Sequence, residues 1–202
     1  MDPGKFLSPG EVNRLLQSVR SRAETAVAQG RKVPVRDCFI VDLGLSTGLR
    51  VMEIALLNCG DVFLEDPIGC LVVRQSKGGR KRLVRFNGAF VRHCQDYLTW
   101  KRSVGEPTGP DDPLLLSSNT GSHMTTRAVQ KAFKRAAAKA GLPCRYSIHS
   151  LRHTYACELY RASGYNLRLV QKQLGHARIA TTQVYADVMA PDVQRALERM
   201  YR

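Results

Sequence analysis

The residues best suited to chemistry are two arginines, several histidines and one tyrosine in four separated motifs. They occur in Thr47-Gly48-Leu49-Arg50-Val51-Met52-Glu53, in His149-Ser150-Leu151-Arg152-His153-Thr154, in Leu174-Gly175-His176, and at Tyr185. Breaking a phosphodiester without a metal needs a nucleophile, groups that stabilise charge in the transition state, and an acid for the leaving oxygen. A tyrosine phenol can form a covalent phosphotyrosine, and a guanidinium makes planar bidentate bonds to phosphate oxygens. These residue types therefore suit phosphoryl transfer.

Positive charge is concentrated in two stretches that contain no acidic residue. The 202 residues carry 31 Lys and Arg against 17 Asp and Glu, a net charge of +14. Residues 67–95 and 113–157 hold seven bases each and no acid. Because a solvated surface usually intersperses both signs, these stretches predict a continuous positive face for a polyanion, with nucleic acid favoured. A scattered basic surface is the alternative.

Composition and segment lengths argue against several other classes of protein, including membrane-spanning and secreted proteins. The hydrophobic content of 44% is that of a globular protein, and the length predicts a single domain, 1–202. No apolar run approaches the roughly 20 residues that cross a bilayer, and the N-terminus has no signal-peptide pattern, so we expect a cytoplasmic protein without a membrane partner. The six cysteines form no C-x-x-C pair, which predicts structural thiols.

No metal site or cofactor is expected either. His149 and His153 have the i, i+4 spacing of two zinc ligands, but Ser150 stands where the zincin pattern requires Glu. The adjacent Arg152 also makes the position electrostatically poor for a cation.

The hydrophobic pattern predicts a mainly α-helical domain with one small antiparallel sheet, an α+β class. Ser8-Pro9-Gly10-Glu11 is a capping box that begins a helix ending near Gly30. The β-rich runs Leu71–Val73 and Arg82–Phe86 surround Ser76-Lys77-Gly78-Gly79, which is a hairpin signal. Further helices are predicted at about 35–46, 51–58, 88–104, 125–140, 150–162, 167–174 and 179–188, with a last one from Pro191.

The ordered motifs resemble the catalytic domain of the tyrosine recombinases, also called the phage integrase family. Members carry T-G-L-R-x-x-E, a lysine on a β-hairpin turn, H-x-L-R-H-T, L-G-H and then a tyrosine. The chain has each of these in the same order, and the resemblance covers about Ser8 to Tyr201. It implies a site-specific recombinase that cleaves and rejoins DNA through a 3′-phosphotyrosine intermediate, without metal or ATP.

The resemblance assigns a catalytic role to five residues of these motifs. Tyr185 is the nucleophile, and Arg50 and Arg152 hold the scissile phosphate. His149 is the general base or proton shuttle near Tyr185. His176 donates a hydrogen bond to a non-bridging phosphate oxygen.

Four more residues have roles around this set. The resemblance makes Lys77, on the hairpin turn, the acid that protonates the leaving 5′ oxygen, and Lys81 is the competing choice. Glu53 is a supporting residue that orients Arg50 or the local helix without reacting. His153 is expected to make a structural hydrogen bond.

The predicted hairpin and the helix from Thr125 carry the bases expected to contact DNA, namely Arg74, Arg80, Lys81, Arg82, Arg127, Lys131, Lys134 and Arg135. The predicted partners are double-stranded DNA and further copies of the chain in a tetrameric synapse. After Pro191, Val193, Ala196, Leu197 and Met200 form an apolar stripe. That stripe could pack on its own domain or dock on a neighbouring copy, and both interpretations stay open.

The chain departs from the family at its N-terminus. Most such recombinases have a separate N-terminal helical domain that grips the far side of the DNA, and Met1 lies only seven residues before Ser8. We therefore expect that domain to be absent, in either a naturally single-domain recombinase or a truncated one. A DNA-binding regulator on a recombinase scaffold and a topoisomerase IB-like relaxing enzyme are the alternative functions. The filled catalytic positions argue against the regulator.

Overall fold

The computed structural model describes residues 6–64, 68–74, 81–176, 181–183 and 185. The described residues form helices α1 (Pro9–Ala28), α2 (Lys32–Thr47), α3 (Val51–Ala55), α4 (Gly88–Ser103), α5 (Thr126–Lys139), α6 (Ile148–Ala162) and α7 (Leu167–Leu174). Strands β1 (Val62–Phe63), β2 (Gly69–Val73) and β3 (Arg82–Phe86) form an antiparallel sheet in the order β1-β2-β3. The predicted mainly α-helical class with a small sheet is confirmed. None of the helices in this part of the chain has the length and hydropathy to cross a membrane.

Helix α2 is the centre of the hydrophobic core. Every residue from Val35 to Gly44 is buried, as expected for a helix enclosed on all sides. The ring of Phe39 stacks on Tyr97 of α4 with centroids 3.8 Å apart. On another face, a Cβ at Gly44 would lie 2.7 Å from the side chain of Leu151 in α6. The missing side chain at Gly44 therefore lets α6 pack closely on α2.

The sheet pairs β2 with β3 so that Gly69 faces Phe86 and Val73 faces Arg82. Leu71, Val84 and Phe86 point into the core, which is the alternation of a half-buried sheet. The register places Arg82 at the turn end of β3. The predicted turn, with Lys77 and Arg80, lies outside the described residues.

Two helix boundaries differ most from the sequence prediction, and one short strand was not predicted. Helix α2 begins at Lys32, because Pro34 falls in its first turn, where proline is tolerated. Helix α3 ends at Ala55 and not near Asn58, whose backbone N–H donates to the Asp61 carboxylate at 2.9 Å and begins a 3-10 turn at Cys59–Asp61. Strand β1 has only two residues, too few to show a period in the sequence.

The two motif glycines end helices. Gly48 follows α2 with φ 61°, and its N–H bonds to the Gly44 carbonyl at 3.1 Å. Gly175 follows α7 with φ 65°. There, Gly175 N–H bonds to Lys172 at 3.3 Å and His176 N–H bonds to Gln171 at 3.2 Å, which is a Schellman motif. Left-handed backbone at both points explains the glycine in each motif.

Gly48→Ala should destabilise the fold more than Gly141→Ala, although both substitutions place an alanine at a positive φ. Its Cβ would lie 2.3 Å from the Tyr155 ring, whereas a Cβ at Gly141, which also has positive φ (65°), meets nothing within 4 Å. We expect Gly141→Ala to lower the free energy of unfolding by about 1 kcal/mol. Gly48→Ala should lower it by roughly 3 kcal/mol, because overpacking is added. Urea unfolding measures both, and equal losses would contradict the steric argument.

Candidate active site

Side chains from separate parts of the fold line a cavity of about 340 Å³. Its lining comes from the α2–α3 junction, the first turns of α6, the end of α7 and the helical residues beyond it: Arg50, His149, Arg152, His153, His176, Thr181 and Tyr185. Five of the six residues predicted to be catalytic therefore lie around one space. The sixth, Lys77, is outside the described residues.

Arg152 lines the cavity and is only 6% exposed. It donates to the Gly48 carbonyl at 2.6 Å and to the Leu174 carbonyl at 3.0 Å. Burial, together with the nearby charge of Arg50, lowers the pKa of Arg152 to about 10. Arg152 is therefore still a cation at neutral pH, held by the carbonyl ends of two helices.

Glu53 is the buried anion of the site. Its carboxylate accepts a bidentate pair from Arg82 at 2.7 and 2.8 Å. It also accepts the Arg50 backbone N–H at 2.8 Å and the Arg50 guanidinium at 3.1 Å. Burial alone would raise the pKa of Glu53, but the bonds from Arg82 and from the Arg50 backbone outweigh it and lower the pKa below its usual value. Glu53 thus orients Arg50 at the N-terminus of α3.

The contacts of His176 determine where its proton lies. Arg152 lies 2.8 Å from Nε2 of His176, and a guanidinium can only donate, so Nε2 accepts. The ring proton is then on Nδ1, which donates to Thr182 Oγ1 at 2.9 Å. Burial and the charge of Arg152 lower the pKa of His176 to about 4. The imidazole is neutral at pH 7.

Tyr185 lies close to His153 and His176 and is only 2% exposed. Its hydroxyl is 3.2 Å from Nδ1 of His153, and its ring is nearly parallel to that of His176 at 6.5 Å. Burial raises the pKa of Tyr185, and the charge of Arg152 partly opposes this. The phenol is therefore protonated at neutral pH.

The predicted DNA-binding bases fall into two groups. Lys81 and, on α5, Arg127, Lys131 and Lys134 are exposed. The three α5 bases line a second cavity, of about 410 Å³, that also includes His149. Three others are paired with carboxylates: Arg82, which is partly buried, binds Glu53, Arg135 binds Asp37 at 2.7 Å, and Arg74 bonds to Asp61. Arg80 lies outside the described residues.

The sequence of this chain is similar to known proteins along almost its whole length. Residues 5–191 match the phage integrase family. The chain belongs to this family. Its similarity to the tyrosine recombinases, first indicated by the motifs, is confirmed.

Curated relatives and solved structures agree with this family membership. Tyrosine recombinase XerC of Neisseria meningitidis serogroup C is 32% identical over 98% of this chain and 59% of its own length. Tyrosine recombinase XerD of Oceanobacillus iheyensis is 33% identical over 91% of this chain and 57% of its own length. The chain thus spans less than two thirds of these relatives.

Two crystal structures share the fold at comparable identity. The XerH site-specific recombinase bound to difH substrate, a pre-cleavage complex, has a TM-score of 0.75 and 26% identity, covering 98% of this chain and 54% of XerH. The XerA recombinase has a TM-score of 0.72 and 30% identity, covering 97% of this chain and 63% of XerA.

The sequence did not predict the contacts that three residues make at this phage integrase site. His153 contacts the Tyr185 hydroxyl, Thr182 holds the His176 ring, and Arg82 completes the ion pair of Glu53. The i, i+4 spacing of His149 and His153 was a signal for the first, since it places both rings on one side of α6. The partners of Thr182 and Arg82 depend on tertiary packing, which spacing does not show.

Thr182→Val should lower stability although the two side chains have the same shape. The substitution leaves the buried Nδ1–H of His176 without its acceptor, which costs about 1–3 kcal/mol in the free energy of unfolding. Thr182→Ser keeps the hydroxyl and serves as the matched control. Urea unfolding of the three proteins measures the difference. If the valine variant is as stable as the serine variant, the hydroxyl is not the acceptor.

Proposed function

We propose that this chain acts as the catalytic domain, spanning residues 1–202, of a site-specific DNA recombinase. It cleaves one strand, holds the 3′ end as a phosphotyrosine and rejoins it to another strand, without metal or ATP. The observation that carries the proposal is the cavity in which two arginines and three histidines surround a buried tyrosine. Its substrate is double-stranded DNA in the cytoplasm, including the nucleoid.

The side chains that line the cavity suit different steps of DNA strand cleavage. Arg50 and Arg152 bind the non-bridging oxygens of the phosphate and stabilise the charge that develops on them. Tyr185 attacks the phosphorus, and the 5′ oxygen leaves. Lys77 is the candidate acid for that oxygen, and Lys81 remains its alternative. The bond energy is kept in the phosphotyrosine, so rejoining needs no nucleotide cofactor.

His176 must change its tautomer before it can donate from Nε2 to a phosphate. With Nε2 accepting from Arg152, His176 cannot donate from that nitrogen. When a phosphate takes the Arg152 donor, the proton can move to Nε2, since the Thr182 hydroxyl can donate to Nδ1 as well as accept from it. His176 then donates to a non-bridging oxygen.

The exposed bases provide a path for the DNA backbone toward the cavity. Arg127, Lys131 and Lys134 occur at i, i+4 and i+7, so they form one stripe along α5 that ends beside His149. Arg82 and Arg135 are already paired with carboxylates, which makes them weaker candidates for phosphate contact than the stripe. Lys81 extends the surface at β3.

Further copies of the chain are the second proposed partner, because strand exchange needs a second cleaved duplex. The XerH relative is a recombinase solved on its difH substrate, and a tetrameric synapse is the arrangement we propose for this chain. The predicted helix from Pro191 lies outside the described residues, so its docking in cis or in trans remains a prediction.

Tyr185→Phe should abolish covalent capture of DNA and leave DNA binding intact. The test uses a pool of nicked duplexes with randomised sequence in excess EDTA, because a nick lets the 5′ fragment escape and traps the protein on the 3′ end. Tyr160→Phe, on the same helix as His153 and also buried, is the control and should still trap DNA. Adducts are counted after denaturation, and the captured strands are sequenced to obtain the target site.

Two results would contradict the proposed function. An adduct that persists in Tyr185→Phe would reject the nucleophile, and capture that disappears on chelation and returns with Mg²⁺ would reject metal-independent chemistry. DNA binding without any adduct in the wild-type chain would favour the regulator.

A further inference from the structure

Arg82 begins β3 close to the catalytic cavity, but its guanidinium is engaged within the protein. Its side chain is only 12% exposed, and it is not among the described residues that line the cavity. The two terminal nitrogens donate to the two oxygens of Glu53 at 2.7 and 2.8 Å. A guanidinium that already makes a bidentate pair with a carboxylate has little capacity left for a DNA phosphate.

Glu53 connects Arg82 to Arg50. Its two oxygens also accept from Arg50, Oε1 from the guanidinium at 3.1 Å and Oε2 from the backbone N–H at 2.8 Å. Burial opposes the ionised form of Glu53, and among the contacts that lower its pKa the bonds from Arg82 are the strongest. A bidentate pair fixes the plane of a carboxylate, because both oxygens must face one planar fork. Arg82 therefore sets the orientation of the carboxylate that holds Arg50.

The stem of Arg82 also contacts the end of α7. A Cβ at Gly175 would lie 2.6 Å from Cδ of Arg82 and 2.7 Å from its Nε, so the arginine packs directly on the backbone next to His176. Further along β3, the backbone N–H of Arg85 donates to the side chain of Gln173 at 3.2 Å. These contacts hold α7 against the edge of β3.

We propose that Arg82 is a positioning residue for Arg50, acting through Glu53. The assignment rests on the proposed function, in which Arg50 binds the scissile phosphate. Within the described part of the chain, the Arg50 guanidinium makes one hydrogen bond, to Oε1 of Glu53, so its other donors are available to a phosphate. Without Arg82, the buried carboxylate would draw that guanidinium into a bidentate pair and away from the phosphate. This role replaces the sequence-based expectation that Arg82 contacts DNA.

The first test is Arg82→Lys, which keeps the positive charge but loses the planar fork. Arg161→Lys is the matched control, since Arg161 also pairs with a carboxylate, that of Glu158, at a half-exposed position on α6. A misplacement of about 1 Å can cost about 100-fold in rate, so Arg82→Lys should slow single-turnover adduct formation by roughly that factor on the duplex recovered from the randomised pool. The control should react at the wild-type rate. Equally fast cleavage by Arg82→Lys would overturn the proposal.

Two further readouts separate positioning from instability and from a lost DNA contact. An unstable variant reduces the final amount of adduct at an unchanged rate constant, whereas a misplaced Arg50 lowers the rate constant itself. Arg82→Gln, combined with Tyr185→Phe so that no adduct forms, should keep the salt dependence of DNA binding. A decrease of about one in the slope of log K against log salt would identify Arg82 as a phosphate contact and contradict the proposal.

A double-mutant cycle tests whether Arg82 acts through Glu53. Arg82→Gln and Glu53→Gln should each slow adduct formation, and the double variant should be no slower than the slower single variant, because both changes remove the same pair. Losses that multiply would overturn the proposal, since Arg82 would then act independently. Circular dichroism verifies each fold, and if a glutamine variant does not fold, the rate constant of Arg82→Lys decides.

Failure of the proposed function is distinguishable from failure of the positioning role. If the wild-type chain traps no DNA, or Tyr185→Phe traps it equally well, the proposed function fails and the positioning role with it. If the wild type traps DNA through Tyr185 and Arg82→Lys does so at the same rate, only the role of Arg82 is rejected.

Discussion

The catalytic cavity depends on the buried guanidinium of Arg152. It joins the end of α2 to the end of α7 by donating to the carbonyls of Gly48 and Leu174. Both helices must stop there in left-handed glycine conformations, at Gly48 and Gly175, for those carbonyls to meet one side chain. The partial negative charge of the helix ends offsets part of the cost of burying the cation.

Charge balance explains why an acid stands in the middle of a cationic site. Glu53 neutralises part of the field of Arg50, Arg82 and Arg152, which otherwise repel one another inside the protein. Because Arg82 begins β3, the same carboxylate also fixes the sheet to the cavity. A Cβ at Gly175 would lie 2.6 Å from the Arg82 side chain. The glycine that ends α7 therefore packs directly against the arginine that begins β3.

The sequence predicted the fold class and the residues around the cavity well, because those depend on local signals. Capping residues and glycine stops marked most helix ends, and the motif order indicated the family. Pairing between distant charges could not be predicted. Arg135 and Asp37 are 98 residues apart, and Arg82 and Glu53 are 29 apart, so no spacing rule links them. The contact between Nδ1 of His153 and the Tyr185 hydroxyl, 32 residues apart in the sequence, was not predicted for the same reason.

The most direct test of this account is the free energy of unfolding of Arg152→Met, measured in urea without DNA. Methionine keeps an unbranched side chain of similar reach and removes every donor. If Arg152 joins the helix ends, the carbonyls of Gly48 and Leu174 lose their partner, Glu53 loses a compensating charge, and stability should fall by about 3 kcal/mol. A variant as stable as the wild type, or more stable, would contradict the account, because it would show that the protein holds Arg152 for phosphate binding alone.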